Sequence, residues 1–121
     1  MPDQCEALAR RVTLGLARTG TAGSHFSGDL FLAESVGNPG AITPGFETLL
    51  DPGSAGRLDA LCFIPWGFMD PFYAAVVQAT EEAVIDSLVA NEEVTGFRGH
   101  RTPALPRGLV VRELQARGVI A

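Results

Sequence analysis

The apolar positions at the start of the chain have helical spacing. Apolar side chains recur every three or four residues from Cys5 to Leu16, which predicts an amphipathic helix over residues 4–17. Asp3, followed three residues later by Glu6, has the spacing of a capping box, in which two side chains cap backbone amides at a helix start. The chain is therefore expected to open with a helix that buries one apolar face.

The second half of the chain predicts two further helices. Asp70 is followed by proline, the typical pair of an N-cap and a first helical residue. Apolar side chains from Phe72 to Val89 then form a broad face, with the acidic residues mainly elsewhere, and Gly96 is the expected end. Two prolines precede a short terminal helix over residues 106–117.

Over residues 28–36 the side-chain pattern changes to a period of two, which is typical of a strand. Both faces of this strand are apolar until Glu34, so it requires cover on each side. A second short strand is predicted over 61–64. Three helices with so few strands indicate an α/β (α+β) fold that is incomplete, because a lone strand with two apolar faces is not stable.

A long glycine- and proline-rich stretch separates these elements. Residues 37–69 are predicted to be an irregular excursion, with a turn where Asp51 is followed by proline and glycine. Such a loop is uncommon inside a compact domain, so it is a functional lid, an interface element or a poorly ordered insert. The helices and strands predicted outside this stretch are too few for a complete fold, so we expect residues 1–121 to form a single partial domain.

Composition narrows the class of protein. The 121 residues carry 9 basic against 14 acidic side chains, a formal net charge of −5, and 46% of them are hydrophobic. That hydrophobicity excludes a disordered acidic tail, and the negative charge argues against a nucleic-acid partner. Apolar stretches are too short to span a membrane and no secretory signal is visible, so we expect a cytoplasmic protein without a membrane partner.

The cysteines and histidines predict neither a metal nor another cofactor. Cys5 and Cys62 stand among apolar residues without a second ligand at metal spacing, so we interpret both as core residues rather than as a disulfide or a reactive thiol. His100 occupies a polar turn and is expected to make a structural hydrogen bond. No glycine-rich loop has the spacing of a phosphate-binding motif.

The densest polar cluster lies just before the predicted strand. His25, Ser27 and Asp29 fall within five positions, but residues so close in a turn seldom form a catalytic triad. Turn formation or capping by Ser27 and Asp29 is the simpler interpretation from the residues alone. Glu81 and Glu82 are adjacent on a helix and do not face each other, so they are solvated charges or an interface contact.

Several stretches together resemble one family. They are LARRVTLGLARTG (8–20), SGDLFLA (27–33), VVQATEEAV (76–84), Thr95-Gly96 and Gly99-His100-Arg101. In this order they resemble the C-terminal (β) chain of the L-aminopeptidase/D-esterase and β-peptidyl aminopeptidase family, the DmpA-like peptidases. The threonine-dependent ornithine acetyltransferase type fits less well, because the 76–84 stretch points to the aminopeptidases.

The resemblance implies a fold and a mechanism. Members form an αββα sandwich of the N-terminal-nucleophile type, and a precursor cleaves itself before a serine that becomes the nucleophile, with its own α-amine as the base. A Ser-Gly-Asp motif supports that serine and matches Ser27 and Asp29 here. Ser27 is then expected to join the nucleophile's hydrogen-bond network, and Asp29 to orient Ser27 or to bind the substrate's ammonium group.

The chain departs from the family pattern at its start. It begins after the strand that carries the nucleophile, so we expect it to lack that serine, the first β-chain strand and the α chain. Glu34 stands where the family tends to have an apolar residue, and residues 36–69 show no close match.

The resulting hypothesis is a C-terminal fragment of a self-processing serine aminopeptidase. The intact enzyme would take peptides, amino acid amides or esters, pair with the missing α chain and form a homo-oligomer, whereas the fragment alone would be inactive. The alternative is a noncatalytic assembly or binding module that kept the family's helices and exposes apolar faces to a partner.

Overall fold

A computed structural model describes residues 1–26, 28–41 and 60–121. These residues form three helices, two short strands and two single 3-10 turns: α1 (Pro2–Arg18), α2 (Asp70–Ala90), α3 (Arg107–Ala116), β1 (Val94–Thr95), β2 (Arg101–Thr102), and the turns Trp66–Phe68 and Phe97–Gly99. The architecture is mixed, helices with a small sheet, and agrees with the α/β class. The described part of the chain has no helix that is both long and apolar enough to cross a bilayer.

Helix α1 confirms the first prediction to within two residues, but its start differs from the expected capping box. Met1 is the N-cap, Pro2 opens the helix, and the start has no side-chain cap. Glu6 instead forms an ion pair one turn further on, with Arg10. Proline has no amide hydrogen to be capped, and Asp3 in the first turn favours the positive end of the helix dipole.

Helices α1 and α2 pack along each other and run parallel. The Arg11 guanidinium carbon lies 4.0 Å above the centre of the Tyr73 ring near the start of α2. Further along both helices, Arg18 Nε lies 2.9 Å from a carboxylate oxygen of Glu81. Because both contacts advance in the same chain direction, the two helices share one direction.

A glycine sets the distance between these helices. Gly15 is buried in α1, and a Cβ atom at this position would lie 2.5 Å from Thr80 Cβ and 2.7 Å from the carbonyl oxygen of Val77. Side-chain atoms essentially never approach so closely, so the backbones meet only because this position has no side chain.

The segment that leads into α2 is held against α1 by the buried side-chain amide of Gln4. Gln4 is 6% exposed, and its Nε2 donates to the Ile64 carbonyl oxygen and, at 3.4 Å, to the Sδ of Met69, which is 1% exposed. Met69 is also the N-cap of α2, so Asp70 is the first helical residue rather than the predicted cap. The proline that follows lies in the first turn, as expected.

The predicted strands differ most from the structure. Described residues 28–36 and 61–64 are not strands, and Leu30 and Leu32 are 100% and 90% exposed. A strand requires a hydrogen-bonded neighbour, and one side chain partly supplies it here: Asn38 Nδ2 donates to the Cys62 carbonyl oxygen at 3.0 Å, and the Cys62 amide donates to Asn38 Oδ1 at 2.7 Å. The excursion predicted over 37–69 lies largely outside the described residues.

The sheet forms elsewhere, after α2. That helix ends at Ala90 rather than near Gly96, and the next residues form an antiparallel pair in which Val94 lies opposite Thr102. The turn between the strands places Arg98 in the left-handed region at φ 57°, with its guanidinium 5.0 Å from the centre of the Phe97 ring.

Both cysteines are free thiols. Cys5 is half-buried, whereas Cys62 is exposed, so the interpretation of Cys62 as a core residue is wrong for this structure. Its backbone is held by Asn38 and its side chain remains on the surface.

Candidate functional site

The structure places only part of the predicted polar cluster. Asp29 is exposed, and its neighbour in the motif, Ser27, lies outside the described residues. His25 and Phe26 form an exposed turn in which their rings meet edge to face, with centroids 5.0 Å apart. The roles expected for Ser27 and Asp29 therefore stay predictions, with Asp29 accessible to a ligand.

A groove of about 620 Å³ begins two residues after Asp29. One wall is the first two turns of α1, and the other is the extended segment that follows the Ser-Gly-Asp motif. The lining residues are Met1, Pro2, Asp3, Cys5, Glu6, Ala9, Phe31, Leu32, Ala33, Glu34, Ser35, Asn38, Ala41 and Leu61. Its volume is within the range of about 300–1,000 Å³ that small-molecule sites occupy.

Burial alternates along residues 31–34 of this groove wall. Phe31 and Ala33 are half-buried, whereas Leu32 and Glu34 are exposed. This alternation is the period-two pattern seen in the sequence. The segment thus has the side-chain arrangement of a strand while lacking the backbone partners of one.

The groove is negatively charged. Asp3, Glu6 and Glu34 contribute carboxylates to its described lining, which contains neither lysine nor arginine. Glu6 is already paired with Arg10. The remaining carboxylates favour a ligand that presents an ammonium group, because an unpaired cation gains from nearby negative charge.

The other candidate polar residues have structural roles. Glu81 pairs with Arg18, and Glu82 is exposed, so the adjacent acids are one helix contact and one solvated charge. His100 closes the hairpin through its backbone, since its carbonyl oxygen accepts the Gly96 amide at 2.7 Å. Within residues 1–26, 28–41 and 60–121, no group of three or more metal-ligating side chains comes together.

Two residues that shape the groove were not singled out from the sequence. Gln4 fixes the residues before α2 to α1, and Asn38 ties the groove wall to Cys62. Asn38 stands between glycine and proline, a context typical of a turn, and nothing in the local pattern indicates its long-range partner. The sequence did carry one signal for Gln4, namely that its polar amide side chain stands beside the apolar stripe of α1.

Comparisons with known proteins match the chain to one family. Residues 1–102 match the model of peptidase family S58. The chain is 32% identical over 119 residues to "Beta-peptidyl aminopeptidase BapA" of Sphingosinicella xenopeptidilytica, covering 97% of this chain and 27% of that relative. It is 34% identical over 106 residues to the protein of the same name from Sphingosinicella microcystinivorans, covering 88% of this chain and 24% of that relative. The chain therefore spans about a quarter of the length of these curated relatives, and no solved structure matches.

Proposed function

The chain belongs to peptidase family S58, and from that premise we propose that it forms the C-terminal portion of a self-processing serine aminopeptidase. The family match over residues 1–102 carries this proposal, and it confirms the resemblance to the DmpA-like peptidases. Two relatives named as aminopeptidases, each about four times longer, support a larger functional unit.

The exposed apolar surface supports a larger fold. Leu30, Leu32 and Val36 are each at least 90% exposed, and they belong to the segment that borders the groove. Apolar side chains in such a row are costly to leave in water, at roughly 1.5–3 kcal/mol for each one that could be buried. In the proposed αββα sandwich, α1 and α2 form part of one helical layer, and strands from the rest of the polypeptide cover this segment.

The proposed reaction is acyl transfer through an N-terminal serine supplied by the rest of the enzyme. Its hydroxyl oxygen forms a bond to the substrate carbonyl carbon while its α-amine accepts the hydroxyl proton. The carbon–nitrogen bond then breaks, the departing amine receives that proton, and water hydrolyses the ester that remains. Ser27 supports the serine through a hydrogen bond, and Asp29 orients Ser27 or holds the substrate's ammonium group.

The groove supports a substrate with a free amino terminus. Asp29 is exposed and stands two residues before the first residue of the groove wall, and the lining adds the carboxylates of Asp3 and Glu34 without a lysine or arginine. A volume of about 620 Å³ accommodates a short peptide or an amino acid amide. Release of an N-terminal residue from short peptides, amides or esters is thus the activity that this surface suits.

The experiment uses the longest open reading frame that contains the chain. Hydrolysis of N-terminal amino acid amides, with α- and β-residues, is measured for wild type, Asp29→Asn and Ser27→Ala. We expect kcat/KM to fall by about 10²-fold or more in both variants, the scale of a lost charge-assisted contact to the reacting complex. Glu92→Gln is the matched control, since it removes an exposed carboxylate that lies outside both the motif and the groove lining.

The result separates a site role from a folding role. Mass spectrometry reports self-cleavage and circular dichroism reports folding, and both must be retained for the loss of activity to count. Full activity in Asp29→Asn and Ser27→Ala would contradict the roles proposed for these residues. Hydrolysis that survives serine-directed reagents would contradict the serine mechanism itself.

A noncatalytic assembly module is the second candidate, and the same exposed row of Leu30, Leu32 and Val36 favours it. Both candidates require a partner for this surface, but only the enzyme requires a nucleophilic serine in the same complex. Purification of the complex from the native host followed by the amide assay distinguishes them. A stable complex without amide hydrolysis would support the module and contradict the enzyme.

A further inference from the structure

We draw no further inference here: the strongest candidate, the surface patch of exposed aromatic side chains at Phe63, Trp66 and Phe68 just before α2, carries nothing because no contact among the described residues shows what covers it.

Discussion

Replacement of Gly15 by alanine tests the packing of α1 on α2 most sharply. The added Cβ would lie 2.5 Å from Thr80 Cβ, 2.7 Å from the Val77 carbonyl oxygen and 2.9 Å from Thr80 Cγ2. Two of these three atoms are fixed to the backbone, so rotation of a side chain cannot relieve the overlap. The helices must move apart, and the contacts on both sides of the crossing weaken.

The magnitude follows from two opposing effects. Alanine is favoured over glycine in a helix interior by about 1 kcal/mol. Overpacking costs about 1–3 kcal/mol, and the backbone contacts at Gly15 place this site in the upper half of that range. We therefore expect Gly15→Ala to lower the free energy of unfolding by about 1–2 kcal/mol, a loss of roughly 4–8 °C in Tm per kcal/mol for a domain of this size.

Urea unfolding followed by circular dichroism measures the effect. Gly108→Ala is the matched control, since a Cβ at Gly108 in α3 meets nothing within 4 Å. It gains helix propensity without an overlap and is expected to leave stability equal or slightly raised. A Gly15→Ala protein as stable as wild type would refute the close approach of α1 and α2.

Three further results are expected. Gln4→Leu removes the buried amide that donates to the Ile64 carbonyl oxygen and should cost about 1–3 kcal/mol in urea unfolding, so an unchanged midpoint would count against this contact. Asn38→Ala removes both hydrogen bonds to Cys62, and the Cys62 amide should exchange with deuterium about tenfold faster while α1 amides keep their protection. In wild type, iodoacetamide should label the exposed thiol of Cys62 before that of half-buried Cys5 in a peptide-mapping time course, and the reverse order would contradict their described exposure.

The sequence predicted the helices well because their signals are local. The periodic apolar positions placed the first helix at 4–17 against Pro2–Arg18, and the last at 106–117 against Arg107–Ala116. Proline after Asp70 marked the start of α2 to within one residue. Its end was placed near Gly96, six residues beyond Ala90, because no glycine or proline stands between them, whereas Asn91 already has an extended backbone.

Strands were predicted poorly because a strand depends on residues far away in sequence. Residues 28–36 have the alternation of a strand but lack a backbone neighbour in the described chain, and Leu30 is fully exposed. The hairpin of β1 and β2 was missed since two-residue strands carry almost no pattern. The bridge from Asn38 to Cys62 spans 24 positions and leaves no local trace.

The assignment of a site to Ser27 and Asp29 rests on the resemblance and stays a prediction. Composition and spacing favoured a turn for Ser27 and Asp29, and the family match gives the reason to assign them chemistry. The negative groove that begins two residues after Asp29 was not foreseen, because it depends on α1 and the segment after the motif approaching each other.

One measurement tests the central claim, that the chain acts as part of a larger S58 peptidase. Hydrolysis of an N-terminal amino acid amide is compared between the purified chain and the longest polypeptide that contains it. We expect no hydrolysis by the chain alone and serine-reagent-sensitive hydrolysis by the longer polypeptide. Serine-dependent aminopeptidase activity from the chain alone, or none from a folded longer polypeptide, would contradict the account.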